Sequence, residues 1–525
     1  MKNKKIGFTL IELLAVIIVL AIIALIATPI IFNVIENAKI KSLENSCYGV
    51  IDAIRTKYAE GLLNLNKITN GNVNELTVSG EKPIDGTWTI DNSKDSEQRG
   101  IKIDNVRFSS MKDYACSNDL ETGKVSCKKT YKDNSSANTP ILFKNMVPIK
   151  YENNKWIIAD LGQKWYDYDA KEWANAVVLN SGVTKNVGDE VTEEEISLWY
   201  VWIPRYKYTI FNGNNESVSE QLINVTFESG VSRTGTVTCT DNADGSETCS
   251  TITNGTSTYT HPAFKFGNTE LTGFWVGKFE ISTTDSTCNS SAPKANCNKV
   301  LTMTIKPNVS SWRYATISNY FTSIQNARTT YGINNADSHM MKNMEWGAVA
   351  YLKQSKYGLG TTDIAVNTNS SYYTGGGTSD AYKTNVAQST TGNIYGVYDM
   401  SGGAWERVMG NMKNSSNTFY SSNAGFTTAP DAKYYDSYKY DSSSNKTHAR
   451  GKLGDATKET LTTFGNTSGG WYSDYADFPF LSRPWFRRGG GYDSVTNAGV
   501  FYFGNSLGGD FNPDSARAVL SAPLA

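Results

Sequence analysis

The chain opens Met1-Lys-Asn-Lys-Lys-Ile-Gly7, continues Phe8-Thr-Leu-Ile-Glu12 and stays apolar to Phe32. An ordinary secretory signal places its small-residue cleavage site after the apolar stretch, so the greasy segment is discarded. Here the small residue, Gly7, precedes that stretch and follows the basic Lys2, Lys4 and Lys5. Cleavage after Gly7 leaves a mature chain that begins with the apolar segment at Phe8. As a helix at about 1.5 Å per residue, 8–32 would reach about 37 Å, enough for a bilayer core of about 30 Å. The lysines on its N-terminal flank predict a cytoplasmic N-terminus. Glu12 interrupts the run, and a charge in hydrocarbon costs on the order of 2.5–3.5 kcal/mol on insertion scales, so it either snorkels or seeks a partner. Pro29 lacks an N–H and clashes one turn back, which predicts a kink.

Leader, first mature residue, acid and proline together resemble the class III leader of type IV prepilins. The resemblance implies cleavage after Gly7 and N-methylation of Phe8 by a prepilin peptidase. It implies that Glu12 pairs with the N-terminal amine of a neighbouring pilin subunit during assembly. It also implies a single helix in the cytoplasmic membrane before assembly, and afterwards a pilus at the cell surface. Past Phe32 the pattern becomes amphipathic: Ile35, Ala38, Leu43, Cys47, Val50, Ile51, Ile54, Tyr58 and Leu62 recur mainly every three or four residues, with charges between them. A transmembrane and amphipathic helix is therefore expected over 8–68, after the leader 1–7. Short alternating runs at 73–78, 86–90 and 101–108 predict a small β head over 69–127, and the polar stretch 128–139 reads as a linker.

Composition fits an exported protein of more than one domain: 525 residues with a net charge of −1. That balance lacks the electrostatic footprint of nucleic-acid binding, so no nucleic acid is expected as a partner. Six of the seven cysteines form close pairs, Cys116 with Cys127, Cys239 with Cys249 and Cys288 with Cys297, and Cys47 is left over. Outside the cell such pairs predict local disulfides, each contributing roughly 2–3 kcal/mol. No pair has zinc-knuckle spacing and only three histidines are available, so no metal site is expected.

From 140 to 525 the chain becomes aromatic-rich. Trp156, Trp165, Trp173, Trp199 and Trp202 read as core rather than as a carbohydrate platform, and the polar stretch 213–258 as a surface insertion. Five segments follow in order: Phe274-Trp-Val-Gly-Lys-Phe-Glu-Ile-Ser282, His339 to Leu352 with its Glu-Trp pair, Asn393-Ile-Tyr-Gly-Val-Tyr-Asp-Met-Ser-Gly-Gly-Ala-Trp-Glu406, Arg487-Arg-Gly-Gly490 and Ser515-Ala-Arg-Ala-Val-Leu520. They resemble the formylglycine-generating-enzyme-like domains, which implies a C-type-lectin-like, loop-rich scaffold. The expected fold class is thus α+β: a long N-terminal pilin helix, a small β head and a lectin-like ligand-binding domain over 140–525.

Fold does not give function. Oxidase members of that family use a C-terminal cysteine pair, and here no cysteine follows Cys297. Asp399 and Glu406 tempt as paired carboxylates, but they sit in the motif that braces the fold. Arg487, Arg488 and Arg517 could hold an anion, although the resemblance places such arginines in the frame. No enzyme and no cofactor are expected. Lectin-like folds often hold calcium through carbonyl and carboxylate oxygens, and no spacing here identifies such a site.

Gly491 to Ser515 contains no Lys, Arg, Met, Trp, Glu or Gln, although Lys, Arg, Met and Trp together make up 72 of the 525 residues; roughly three of those four types would be expected by composition. Its Gly, Tyr, Asp, Ser, Asn, Leu, Phe and Pro can all be written with a final pyrimidine, as randomising the two adenines of an AAC or AAT codon would generate. The segment resembles the variable region of diversity-generating-retroelement proteins, which lies at the C-terminus of a lectin-like fold. Its mixture of Tyr with Asp, Asn and Ser also resembles a paratope. The expected ligand-binding residues within the variable segment 491–514 are Gly491, Tyr492, Asp493, Ser494, Tyr502, Gly504, Asn505, Ser506, Leu507, Asp510, Phe511, Asn512 and Asp514. Val500, Phe501 and Phe503 are expected as strand core and Arg517 as frame. The functional expectation is a surface-displayed pilin-like adhesin that binds an unknown surface protein or glycan. Two alternatives stand beside it: a fixed minor pseudopilin or tip subunit of a secretion or competence system, and a degenerate formylglycine-generating-type enzyme.

Overall fold

The computed structural model describes residues 10–63, 69–90, 100–213, 217–293, 295–442 and 450–521, without the side chains of 10–13, 20–30 and 32. The expected cleavage site at Gly7 and Phe8 and the Glu12 side chain lie outside the described residues.

The α+β expectation with a long pilin helix is corrected. The described chain is predominantly β, in sheets of five, three, two, two, seven, two and five strands, most of them antiparallel. Among the described residues, α-helix beyond the N-terminal helix is confined to Ile317–Thr330, Asn343–Lys353 and the single turn Ala381–Thr384. Among the described residues no helix is long and apolar enough to cross a membrane. The physical reason is composition: the chain carries 30 Tyr, 20 Phe and 12 Trp. Aromatic and β-branched residues fit a pleated, half-buried surface better than a helix.

Two separate hydrophobic cores organise the molecule. In the smaller, Leu43, Cys47, Val50, Ile51 and Ile54 of the helix Leu10–Leu63 pack on Trp88, Ile103, Val106, Phe108 and Val125. Those partners belong to a five-stranded antiparallel meander running in chain order from Asn70–Asn72 to Val125–Lys129. Spacings of three and four place the helical residues on one stripe, and that stripe faces the sheet. Cys116 and Cys127 lie directly opposite each other and are bridged. Cys47 stays free and buried, its sulfur within 4.8 Å of theirs. Burial, reinforced by Glu44, pushes its thiol up to about 12, so it carries its proton at neutral pH.

The larger core is spanned by a seven-stranded antiparallel sheet. Its order is Asp337–Met340, Ala518–Ser521, Gly273–Gly277, Ile196–Pro204, Asn175–Leu179, Met146–Glu152 and Lys155–Ile158. The last described strand is thus inserted between two strands that lie far upstream, Asp337–Met340 and Gly273–Gly277. Trp156, Trp165, Trp173, Trp199 and Trp202 are all at most 2% exposed, so they are core. The stretch 128–139 runs from one body to the other: Lys128 and Lys129 end the last strand of the meander, and the Asn138 side-chain amide donates to the carbonyls of Gly230 and Thr272, both at 2.9 Å. The segment 213–258 contributes buried Val225, Phe227 and Glu228, the last paired with the buried Arg205 at 2.9 Å. Its hairpin is closed by the Cys239–Cys249 disulfide, and Cys288–Cys297 forms the third bridge.

Candidate ligand-binding surface

A second sheet carries the C-terminal segment. At its centre is Trp405–Met412, antiparallel to Trp485–Gly489, which is in turn antiparallel to Gly499–Ser506; Asp514–Ala516 pairs parallel to the start of the central strand. The registers set Arg407 opposite Arg487, Arg487 opposite Gly504, and Trp405 opposite Asp514. Because side chains alternate along a strand, Trp405, Arg407, Arg487, Tyr502 and Asp514 share the outer face. Glu406, Arg488 and Phe503 point the other way, into the core.

The inward face is a rigid frame. Arg517 donates to both carboxylate oxygens of Glu406, and to the carbonyls of Gly277 at 2.7 Å and Tyr398 at 2.9 Å. Two further carboxylates lie beside this pair. Glu280 accepts from the Ala404 N–H and the Ser311 hydroxyl. Asp399 accepts from the Gly375 N–H and the Asn367 amide. All four side chains are at most 1% exposed. Burial pushes Glu406 up to about 7 against the pull of Arg517, and burial together with the neighbouring acids raises Glu280 well above the usual carboxylate range. Arg488 is likewise buried, donating to Asn343 and to the Asp455 and Ala456 carbonyls. Asp399 and Glu406 therefore brace the junction between the two sheets, and Glu280 joins them there although the motif reading passed over it.

On the outer face the Arg487 guanidinium lies 4.5 Å from the centre of the Trp405 ring, and Tyr502 stacks on Tyr475 at 5.4 Å. Arg407 grips Asp514 with Nε and Nη2, and Nη2 also donates to the Gly509 carbonyl at 2.7 Å. Above this floor the two ends of the segment converge. Tyr492 packs edge-on against Tyr372 at 4.9 Å, and the Arg313 guanidinium sits 3.6 Å from the Tyr372 ring. Arg313 Nη1 donates to Asn512 Oδ1 at 2.9 Å, while Nη2 holds the Ser290 and Ser291 carbonyls beside the Cys288–Cys297 bridge.

The expected binding residues therefore separate into two groups. Asp493, Leu507, Asp510, Phe511 and Asn512 are exposed, and Tyr492 and Ser494 half-buried, in the loops flanking the Gly499–Ser506 strand. Phe511 is 54% and Leu507 44% exposed, large apolar groups left in water. Gly491, Tyr502, Gly504, Asn505, Ser506 and Asp514 are buried, a correction to their reading as ligand contacts. Asn505 falls on the inward face and donates to the Phe478 carbonyl at 3.4 Å; Ser506 accepts from the Gly508 N–H; Asp514 is taken by Arg407. Val500, Phe501 and Phe503 are strand core and Arg517 is frame, as their positions suggested. Arg313, Tyr372, Trp405 and Tyr475 were missed because they lie outside the segment, and no local pattern ties them to it.

The family described as the prokaryotic N-terminal methylation motif matches residues 2–28. No curated protein matches the chain. The leader supports a type IV pilus-related surface protein, and it implies processing by a prepilin peptidase and assembly with other pilins.

Proposed function

We propose that this protein is a non-enzymatic adhesin displayed on a type IV pilus, and that it binds its ligand through the loops flanking the Gly499–Ser506 strand. The observation that carries the reading is the exposure of Phe511 and Leu507, with Asp493 and Asp510 also exposed, in the loops over the Arg487–Trp405 and Arg407–Asp514 floor. Exposed apolar side chains rimmed by polar ones mark interaction surfaces. The Tyr492–Tyr372–Arg313–Asn512 chain joins the two loops, so less ordering cost falls on binding. The codon-limited composition of the segment supports its being diversified, since exposed positions change with little effect on the frame beneath. The test is a screen of the purified full-length chain against surface proteins and glycans. Tyr492→Ala with Phe511→Ala should abolish capture while leaving the unfolding midpoint unchanged. Capture that survives this double substitution refutes the assignment of the surface.

A further inference from the structure

A cleft of about 790 Å³ lies elsewhere, between the Cys239–Cys249 hairpin and the turns around Phe266 and Asp431. None of its lining residues belongs to 491–514. Its volume falls within the range of small-ligand sites, about 300–1,000 Å³. At one end two ammonium groups flank Phe266, and a third lysine, Lys265, also lines the cleft. Lys342 Nζ lies 5.7 Å and Lys433 Nζ 5.4 Å from the ring centre, and Lys265 is the adjacent residue on the same strand. Lys342 is only 7% exposed, yet its nearest carboxylate, Asp436, is 3.9 Å away, beyond hydrogen-bond distance. The nearest to Lys433, Asp337, is also 3.9 Å away. The other two cations of the cleft are engaged: Lys452 with Asp241 at 2.5 Å and Arg233 with Glu270 at 2.7 Å. Neither the Lys342 nor the Lys433 ammonium lies within hydrogen-bond distance of a carboxylate, and both line the cleft, where a bound anion would give them a charge-assisted partner.

The rest of the lining selects among anions. Asp431 and Thr240 are exposed, and Asn268 and Tyr435 add polar groups and a half-buried ring. Carboxylates in the wall repel a bare polyanion but accept hydrogen bonds from hydroxyl groups. A ligand with both hydroxyl donors and an anionic group meets both ends of the cleft. Burial raises the Glu247 and Asp436 carboxyls from their ordinary values, opposed by neighbouring lysines.

We propose that this cleft is a second binding site, for an oligosaccharide bearing carboxylate or sulfate groups, with Lys342, Lys433 and Lys265 holding the anionic group. The site is independent of the loops around Gly499–Ser506.

The experiment titrates the full-length chain in detergent with a sulfated heparin hexasaccharide, a trigalacturonate, neutral maltohexaose and duplex DNA. One or both acidic saccharides should bind, with affinity falling as salt rises, and whichever binds identifies the anionic group. Lys265→Gln with Lys433→Gln, the first exposed and the second half-buried, should weaken binding by about tenfold or more. A control pair outside the cleft, Lys155→Gln with Lys164→Gln, should leave it within about twofold, and so should the Tyr492→Ala, Phe511→Ala variant. The proposal is overturned if neither acidic saccharide binds, if maltohexaose or DNA binds as tightly, or if the control pair weakens binding as much as the cleft pair.

Discussion

Replacing Arg517 by Met tests the frame that holds the two large sheets together. The guanidinium is fully buried and donates to Glu406, to the Gly277 carbonyl of the seven-stranded sheet and to the Tyr398 carbonyl. Methionine fills most of the volume but leaves Glu406 without its cation, beside Glu280 and Asp399. Breaking a buried pair by removing one partner costs about 3–5 kcal/mol. The cost depends on pH with a definite sign. Glu406 is already held up near 7 by burial, opposed by Arg517, and losing the arginine raises it further. Below pH 7 the acid carries its proton in both proteins, whereas above 7 only the wild type ionises it at low cost. The stability difference should therefore be widest near pH 8–9 and narrow as the pH falls below 7. Urea unfolding followed by tryptophan fluorescence reports on this body, since only Trp88 of the twelve tryptophans belongs to the smaller core. A loss under 1 kcal/mol at pH 8, or one that does not change between pH 9 and pH 6, would refute the reasoning.

Other outcomes follow from single sites. Gly347 sits against a turn where an added Cβ would meet the Gly454 carbonyl oxygen at 1.9 Å, so Gly347→Ala should cost about 3 kcal/mol by overpacking, read from the same unfolding curves. His339 is buried between Asp337 at 3.0 Å and Glu345 at 2.9 Å. Burial works against its charge, but the two acids overcome it and hold the imidazole up to about 9. Its contribution, on the order of 3 kcal/mol, is fully present below the unfolded value of about 6.5. It should fade as pH rises through about 9, and His339→Gln should remove that alkaline dependence. Replacing both Cys288 and Cys297 by Ser should cost roughly 2.7 kcal/mol by loop entropy, and should loosen Arg313, which holds the adjacent Ser290 and Ser291 carbonyls; thermal unfolding and hydrogen exchange at 290–313 check both.

What the sequence made legible was local. The stripe Leu43, Cys47, Val50, Ile54 needs only helical periodicity, and it packs as that periodicity requires. Cys116 and Cys127, and Cys239 and Cys249, are bridged because short hairpins bring them face to face in register, while Cys288 and Cys297 are joined across a loop that ends in a short helical turn. The fold class was not legible, because the one long apolar segment is the strongest local signal but a small part of the chain. The bulk of the chain forms short strands whose partners lie far away in sequence. No local signal predicts that Ala518–Ser521 enters between Asp337–Met340 and Gly273–Gly277. The candidate surface shows the same divide. Composition marked the segment, but strand alternation and the Arg407–Asp514 pair decided which residues face solvent. The outer-face partners Arg313, Tyr372 and Trp405 come from elsewhere in the chain.

The central claim is that the loops around Gly499–Ser506 form a diversified binding surface on a fixed frame. Deep sequencing of the 3′ end of the gene across one growing population tests it most directly. The account predicts substitutions confined to asparagine-type codons within 491–514, concentrated at exposed positions such as Tyr492, Asp493, Asp510, Phe511 and Asn512, with Glu406, Arg407 and Arg517 constant. A segment as invariant as its flanks would contradict it.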